Sequence, residues 1–238
     1  MISISPQIEP FPATLSGLAR GYAALLPLAA AESESLAQLG IACPESLRKA
    51  VAKRQNEFLA GRYCAYRALA QLTPDQLSSI GIGEDYAPVW PKGFVGSITH
   101  TRGYVAAAVA RAADRCGIGI DVEQVMAQEK ATNLCQHILT DEEWRRFENA
   151  GAFSVGELVS LVFSAKESVY KCLRPLTGKY FGFQAAELFE LSRESGTFKV
   201  RLLKSVGGGF EPGWCGSGRF ALTSSRVFTA VELVSNAG

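Results

Sequence analysis

"FSAKESVYKCL", residues 163–173, is the stretch on which the reading of this chain turns. Locally it supports two readings. Ser164 and Glu167 have the S-x-x-E spacing of a capping box, which satisfies free backbone donors at a helix start. Glu167 and Lys171 lie four apart, the spacing of a surface ion pair on a helix. The other reading makes Glu167 the acid of a reactive centre, bracketed by Lys166 and Lys171. An earlier stretch, "FLAGRYCAYRAL" (58–69), resembles this one if one gap is allowed. "THTRGYVAAAV" (99–109) likewise resembles "TSSRVFTAVEL" (223–233). In each half the helical match comes first and the hairpin match later. That shared order points to a duplicated α+β unit joined near 111–117. The expected halves are residues 1–115 and 116–238.

Composition narrows the class. The chain has 238 residues, of which 47% are hydrophobic and 20% charged, so a packed core is expected. A net charge of +1 argues against a protein that coats nucleic acid. Cys43, Cys64, Cys116, Cys135, Cys172 and Cys215 are scattered, with no C-x-x-C pair. Reduced thiols are therefore expected rather than a zinc site or a disulfide framework. "GYAALLPLAAA" (21–31) lacks a basic leader, is too short to span a bilayer and is interrupted by Pro27. A soluble, cytoplasmic chain that does not engage membranes is expected.

Local patterning places the elements. A short strand is expected near 21–26. Residues 44–72 read as a helix, with Pro44 in its first turn and Thr73-Pro74 ending it. Residues 73–93 are rich in Gly and Pro and read as a loop. A hairpin follows over 94–110, turning at 100–103, and then a strand over 116–123. Residues 131–148 read as a helix in two parts, with a capping box at Thr140 and Glu143. The opening stretch begins the next helix. One strand is expected over 197–204 and two more over 219–233.

Chemistry concentrates in a few places. In "GIDVE" (119–123), alternation sends Asp121 and Glu123 to one side and Ile120 and Val122 to the other. Two neighbouring carboxylates repel unless a cation lies between them. With Glu167 they make three oxygen donors, a set suited to Mg²⁺, and no His or Cys cluster competes for a softer metal. Arg54, Phe58 and Arg62 share one helix face. Lys92 sits in a turn, and His100 at a hairpin tip. Cations around a carboxylate–metal centre suit a polyphosphate ligand. The absence of a Walker-type loop counts against the common nucleotide hydrolases.

Taken in order, "KRQNEFLAGR", "WPKGFVGSITH", "GIDVE" and "FSAKESVYK" resemble the Sfp-type 4′-phosphopantetheinyl transferases, and most closely the branch that includes the enterobactin synthetase component. The resemblance implies an α+β fold of two similar halves related by a pseudo-twofold. It implies transfer of the 4′-phosphopantetheine arm of coenzyme A to a serine of an apo acyl or peptidyl carrier protein, with release of 3′,5′-ADP. Asp121, Glu123 and Glu167 would hold Mg²⁺, with Mn²⁺ as an alternative. Glu167 would act as base and Lys171 would assist the departing phosphate. Thr99 and His100 match positions near the adenosine 3′-phosphate. Arg54, Arg62, Lys92, Lys166 and Lys171 match basic contacts to coenzyme A. A monomer is implied.

Overall fold

The computed structural model describes residues 15–29, 34–36, 38–73, 80–83, 86–148 and 151–235. The first 14 residues, and positions 74–79 and 84–85 of the expected loop, lie outside them. The chain divides into two compact units, Met1–Ala112 and Ala113–Gly238.

In the first unit, helix α1 (Ala52–Ala70) packs on a three-stranded antiparallel sheet. Its strand order is β1 (Arg20–Leu25), β5 (Tyr104–Arg111), β4 (Phe94–Thr101). β5 reads YVAAAVAR, and all but its last residue are buried. Small side chains there let the helix come close, and Gly61 takes this furthest. A Cβ on Gly61 would stand 2.9 Å from Ile98 Cγ2. The helix starts later than expected. Val51 is extended (φ −59°, ψ 145°), and residues 45–47 form a separate 3-10 turn after Pro44. The Gln55 side chain bonds the carbonyls of Ala50 and Arg48, which holds the two pieces apart. The expected loop over 73–93 contains two short paired strands, β2 (Gly81–Ile82) and β3 (Pro88–Val89).

The second unit is a five-stranded antiparallel sheet in the order β6, β10, β9, β8, β7. The strands are β6 (Arg115–Gln124), β7 (Ala186–Ser192), β8 (Thr197–Leu202), β9 (Cys215–Leu222) and β10 (Arg226–Val234). Helices α2 (Gln128–Ile138), α3 (Asp141–Phe147) and α4 (Val155–Thr177) complete it, with α4 lying against β6 and β10. Buried Leu161, Val162, Val169, Leu173, Leu188, Phe198 and Val200 belong to its core. The capping box at Thr140 and Glu143 is present. The one expected at Ser164 and Glu167 is not. α4 begins ten residues earlier, at Val155, with Ser154 and Glu157 forming the box. Gly178 ends α4 in the left-handed conformation (φ 65°). β7 was not expected. Its Glu187 and Glu190 obscure the apolar pattern, yet Glu187 is buried and ion-paired with Arg201.

The repeat falls on matching element types. Its helical copies lie in α1 and α4; its later copies run from the end of β4 through β5 and from the turn after β9 through β10. Among the described residues no helix is long and apolar enough to cross a membrane.

Candidate active site

The second unit builds its polar centre on β6. From Gly117 to Glu123 the odd-numbered positions of this strand face α4, and the first two of these are glycines. A Cβ on Gly119 would lie 1.8 Å from the Ser168 carbonyl oxygen, and one on Gly117 would lie 3.0 Å from that of Cys172. α4 therefore sits nearly against the strand backbone. Two residues further on, Asp121 emerges beside the middle of the helix, and then Glu123. Ile120 and Val122 are fully buried on the other face.

Asp121 is almost wholly buried, and each of its oxygens has a partner on α4. The Ser164 hydroxyl donates to Oδ2 at 2.8 Å. The Lys171 ammonium donates to Oδ1 at 2.6 Å. Ser164 is thus a mid-helix residue that orients a carboxylate, not a helix cap. Behind it lies Thr229, opposite Asp121 on β10. Thr229 Oγ1 is 2.9 Å from Ser164 Oγ and 2.6 Å from Ser168 Oγ. Sequence reasoning passed over Thr229 and Ser168, because a hydroxyl on an apolar strand or helix looks like ordinary core filling.

Glu123 and Glu167 share this environment. Burial and the neighbouring Asp121 push the Glu123 carboxyl up to about 7, Glu167 adds to the rise, and Lys171 opposes it. The Glu167 carboxyl is raised chiefly by burial, with Lys171 opposing and Asp121 adding to the rise. The three predicted carboxylates thus feel one another's charge, with Lys171 as the cation among them. Among the described residues no three His, Cys, Asp or Glu side chains converge closely enough to hold a metal ion as they stand. The donor set nevertheless fits a hard divalent cation. All its donors are oxygens, its charge is undercompensated, and an ammonium already stands in as counter-ion on Asp121.

Lys166 is placed elsewhere. It is buried, and its three N–H donors go to Glu143 Oε2 (2.7 Å), the Ile138 carbonyl (2.8 Å) and the Phe183 carbonyl (3.0 Å). Glu143 also accepts from the Leu188 and Thr140 amides. Lys166 therefore ties α4 to α3 and to the start of β7 and has no donor left for a ligand. Beside Glu167 lies a cavity of about 50 Å³, lined also by Tyr170, Tyr180 and Phe181.

In the first unit, Arg54 and His100 come together. The guanidinium Nη1 is 3.4 Å from His100 Nε2. Arginine only donates, so Nε2 accepts, which leaves the ring proton on Nδ1, 3.7 Å from Glu57. Thr99 does not join them. Alternation puts it on the opposite face of β4, where it is buried. Arg62 is also buried and donates to the carbonyls of Gly81, Tyr86 and Ala87. Burial lowers its guanidinium to about 10, which leaves it charged at neutral pH. It secures the backbone at Gly81, Tyr86 and Ala87. Lys92 is exposed in the turn before β4.

Comparison with known proteins agrees with this layout. Residues 43–110 match the model of the 4′-phosphopantetheinyl transferase N-terminal domain. Residues 117–217 match that of the 4′-phosphopantetheinyl transferase superfamily. The chain is 35% identical to the 4′-phosphopantetheinyl transferase Npt of Nocardia iowensis, over 78% of this chain and 85% of that one. It is 40% identical to the 4′-phosphopantetheinyl transferase Svp of Streptomyces mobaraensis, over 80% and 76% respectively. With enterobactin synthase component D of Salmonella typhi the identity is 35%, over 62% and 60%. The matched residues take in α1, nearly all of the β4–β5 hairpin, the acidic end of β6 and the whole of α4, and leave Thr229 on β10 outside; the chain belongs to the 4′-phosphopantetheinyl transferase superfamily of enzymes.

Proposed function

We propose that this enzyme transfers the 4′-phosphopantetheine arm of coenzyme A to a serine hydroxyl of an apo acyl or peptidyl carrier protein, releasing 3′,5′-ADP, and that the reaction depends on Mg²⁺. The observation that carries the reading is the 2.6 Å ion pair of Lys171 on α4 with Asp121 on β6, with Glu123 and Glu167 near enough to feel both charges. Asp121, Glu123 and Glu167 would hold the Mg²⁺. Bound there, it would offset charge on the pyrophosphate and on the leaving group.

The remaining work belongs to the chain itself. A serine hydroxyl is a weak nucleophile at neutral pH and needs a base. Glu167, one turn from Lys171 on α4, is the carboxylate assigned to accept that proton. As the serine oxygen–phosphorus bond forms, the bond from phosphorus to the 3′,5′-ADP oxygen breaks. The proton passes to Glu167. The Lys171 ammonium stabilises the charge that appears on the departing phosphate. To do so it gives up its contact with Asp121 Oδ1. In the first unit, Arg54 and His100 are the residues assigned to the 3′-phosphate, with exposed Lys92 as a further cation. Action as a monomer in the cytoplasm completes the reading.

The test is a transfer assay with purified protein, coenzyme A, Mg²⁺ and a panel of apo carriers, read by intact mass. Addition of one phosphopantetheine group, with 3′,5′-ADP in equal amount, is expected. No mass gain on any carrier would overturn the proposal.

A further inference from the structure

The hydroxyl nearest Asp121 has a direction, and proton counting supplies it. Asp121 is ion-paired with Lys171 and, as a carboxylate, only accepts. The single Ser164 proton therefore goes to Asp121 Oδ2. With that proton committed, the Ser164–Thr229 contact at 2.9 Å leaves Thr229 as donor, to the Ser164 hydroxyl or to the Ser164 carbonyl, also at 2.9 Å. Ser168 backs Thr229 in turn, its hydroxyl lying 2.6 Å from Thr229 Oγ1 and 3.2 Å from the Thr229 carbonyl oxygen. Ser164, Ser168 and Thr229 are all fully buried, so no solvent competes for these bonds. The three hydroxyls stand in line behind the carboxylate, Ser164 nearest, then Thr229, then Ser168.

Its effect on Asp121 is asymmetric. Oδ2 is held inward by the chain. Oδ1 points to Lys171, whose side chain is 26% exposed. A carboxylate torsion is otherwise broad, so an unanchored Asp121 would not hold its plane in this orientation. We propose that Ser164, backed by Thr229 and Ser168, is a positioning residue: the three-hydroxyl chain fixes Asp121 with Oδ1 presented outward as the ligand oxygen for the divalent cation. This rests on the metal reading given above.

The test uses the full chain without coenzyme A, titrated with Mn²⁺ and read by electron paramagnetic resonance, with circular dichroism to confirm folding. Outer-shell partners of metal ligands typically govern affinity about 10- to 100-fold. Ser164→Ala is expected to weaken Mn²⁺ binding about tenfold, near the lower end of that range, because Asp121 itself remains. Thr229→Val should weaken it less and Ser168→Ala least, an order that simple loss of packing would not impose. Thr229→Ser, which keeps the hydroxyl, should bind as the parent does. A folded Ser164→Ala protein with parental affinity overturns the proposal. So do equal losses in Thr229→Val and Thr229→Ser, and that pair decides if Ser164→Ala does not fold. If the parent protein itself takes no Mn²⁺, the metal reading falls as well. If it binds and the variants show no graded loss, only this inference falls.

Discussion

Lys171→Met has opposite consequences for cation binding and for transfer. In the structure its ammonium lies 2.6 Å from Asp121 Oδ1, with 4% of the aspartate side chain and 26% of the lysine side chain exposed. Deleting one partner of a fully buried pair costs about 3–5 kcal/mol. A quarter of the lysine is in water, so about 2 kcal/mol is a better figure here. For a chain of this length that lowers the metal-free melting temperature by about 4–8 °C. The same substitution removes the competitor for Oδ1 and leaves three carboxylates without their cation. Mn²⁺ should then bind about tenfold more tightly, since ~1.4 kcal/mol of relieved competition corresponds to one decade. Melting by differential scanning fluorimetry, with and without Mn²⁺, reads both effects. The cation should raise the variant's melting temperature more than the parent's, while transfer from coenzyme A falls sharply. Equal cation-induced shifts in the two proteins would refute the view of Lys171 as a stand-in counter-ion.

Three other outcomes are expected. Gly119→Ala should abolish soluble expression or lower the melting temperature by more than 10 °C, because backbone on both sides of a 1.8 Å approach must move; a protein that melts normally would show that the helix yields. Lys166→Met should destabilise by about 3–5 kcal/mol in urea titration, because Glu143 is left buried without its cation. The folded fraction should bind coenzyme A as the parent does; a selective loss of affinity would return Lys166 to the ligand. In chelator, Glu123 contributes a pH dependence. Its folded value of about 7 lies above the ordinary 4.5, so its contribution favours the folded state most below 4.5 and is lost as pH rises toward 7. Between pH 5 and 8 the parent's melting temperature should fall relative to that of Glu123→Gln, and parallel curves would contradict this.

Much of the site was legible because its chemistry follows strict periodicities. Alternation along β6 placed Asp121 and Glu123 together, and four-residue spacing placed Glu167 with Lys171. The true start of α4 was not legible. Ser154–Glu157 and Ser164–Glu167 carry the same capping signal ten residues apart, and only the pull of Asp121 and Thr229 on Ser164 makes the second one interior. The placement of Lys166 was hidden for a similar reason. Its neighbours in sequence face the carboxylates, but a helix turns about 100° per residue, and that rotation carries Lys166 toward Glu143. Arg62 repeats the lesson in α1. It shares a face with Arg54, but the backbone carbonyls that take its donors come from residues 81–87, which no local pattern connects to it. Thr99 fell to the alternation rule itself, which separates it from His100.

The glycines of β6 carry a consequence for how this centre tolerates change. Where large side chains interdigitate, the spacing of helix and sheet follows the volume of the filling, and each core substitution shifts it. Here α4 rests on bare backbone at Gly117 and Gly119, a hard stop with nothing to compress or replace. The separation between Lys171 and Asp121 is therefore insulated from drift in the surrounding core. Leu161, Val169 or Leu173 can be exchanged for residues of similar bulk without detuning the charges. The same hard stop means the centre cannot be widened by gradual repacking, so a change in the cation or phosphate it accepts has to come from the side chains at the rim.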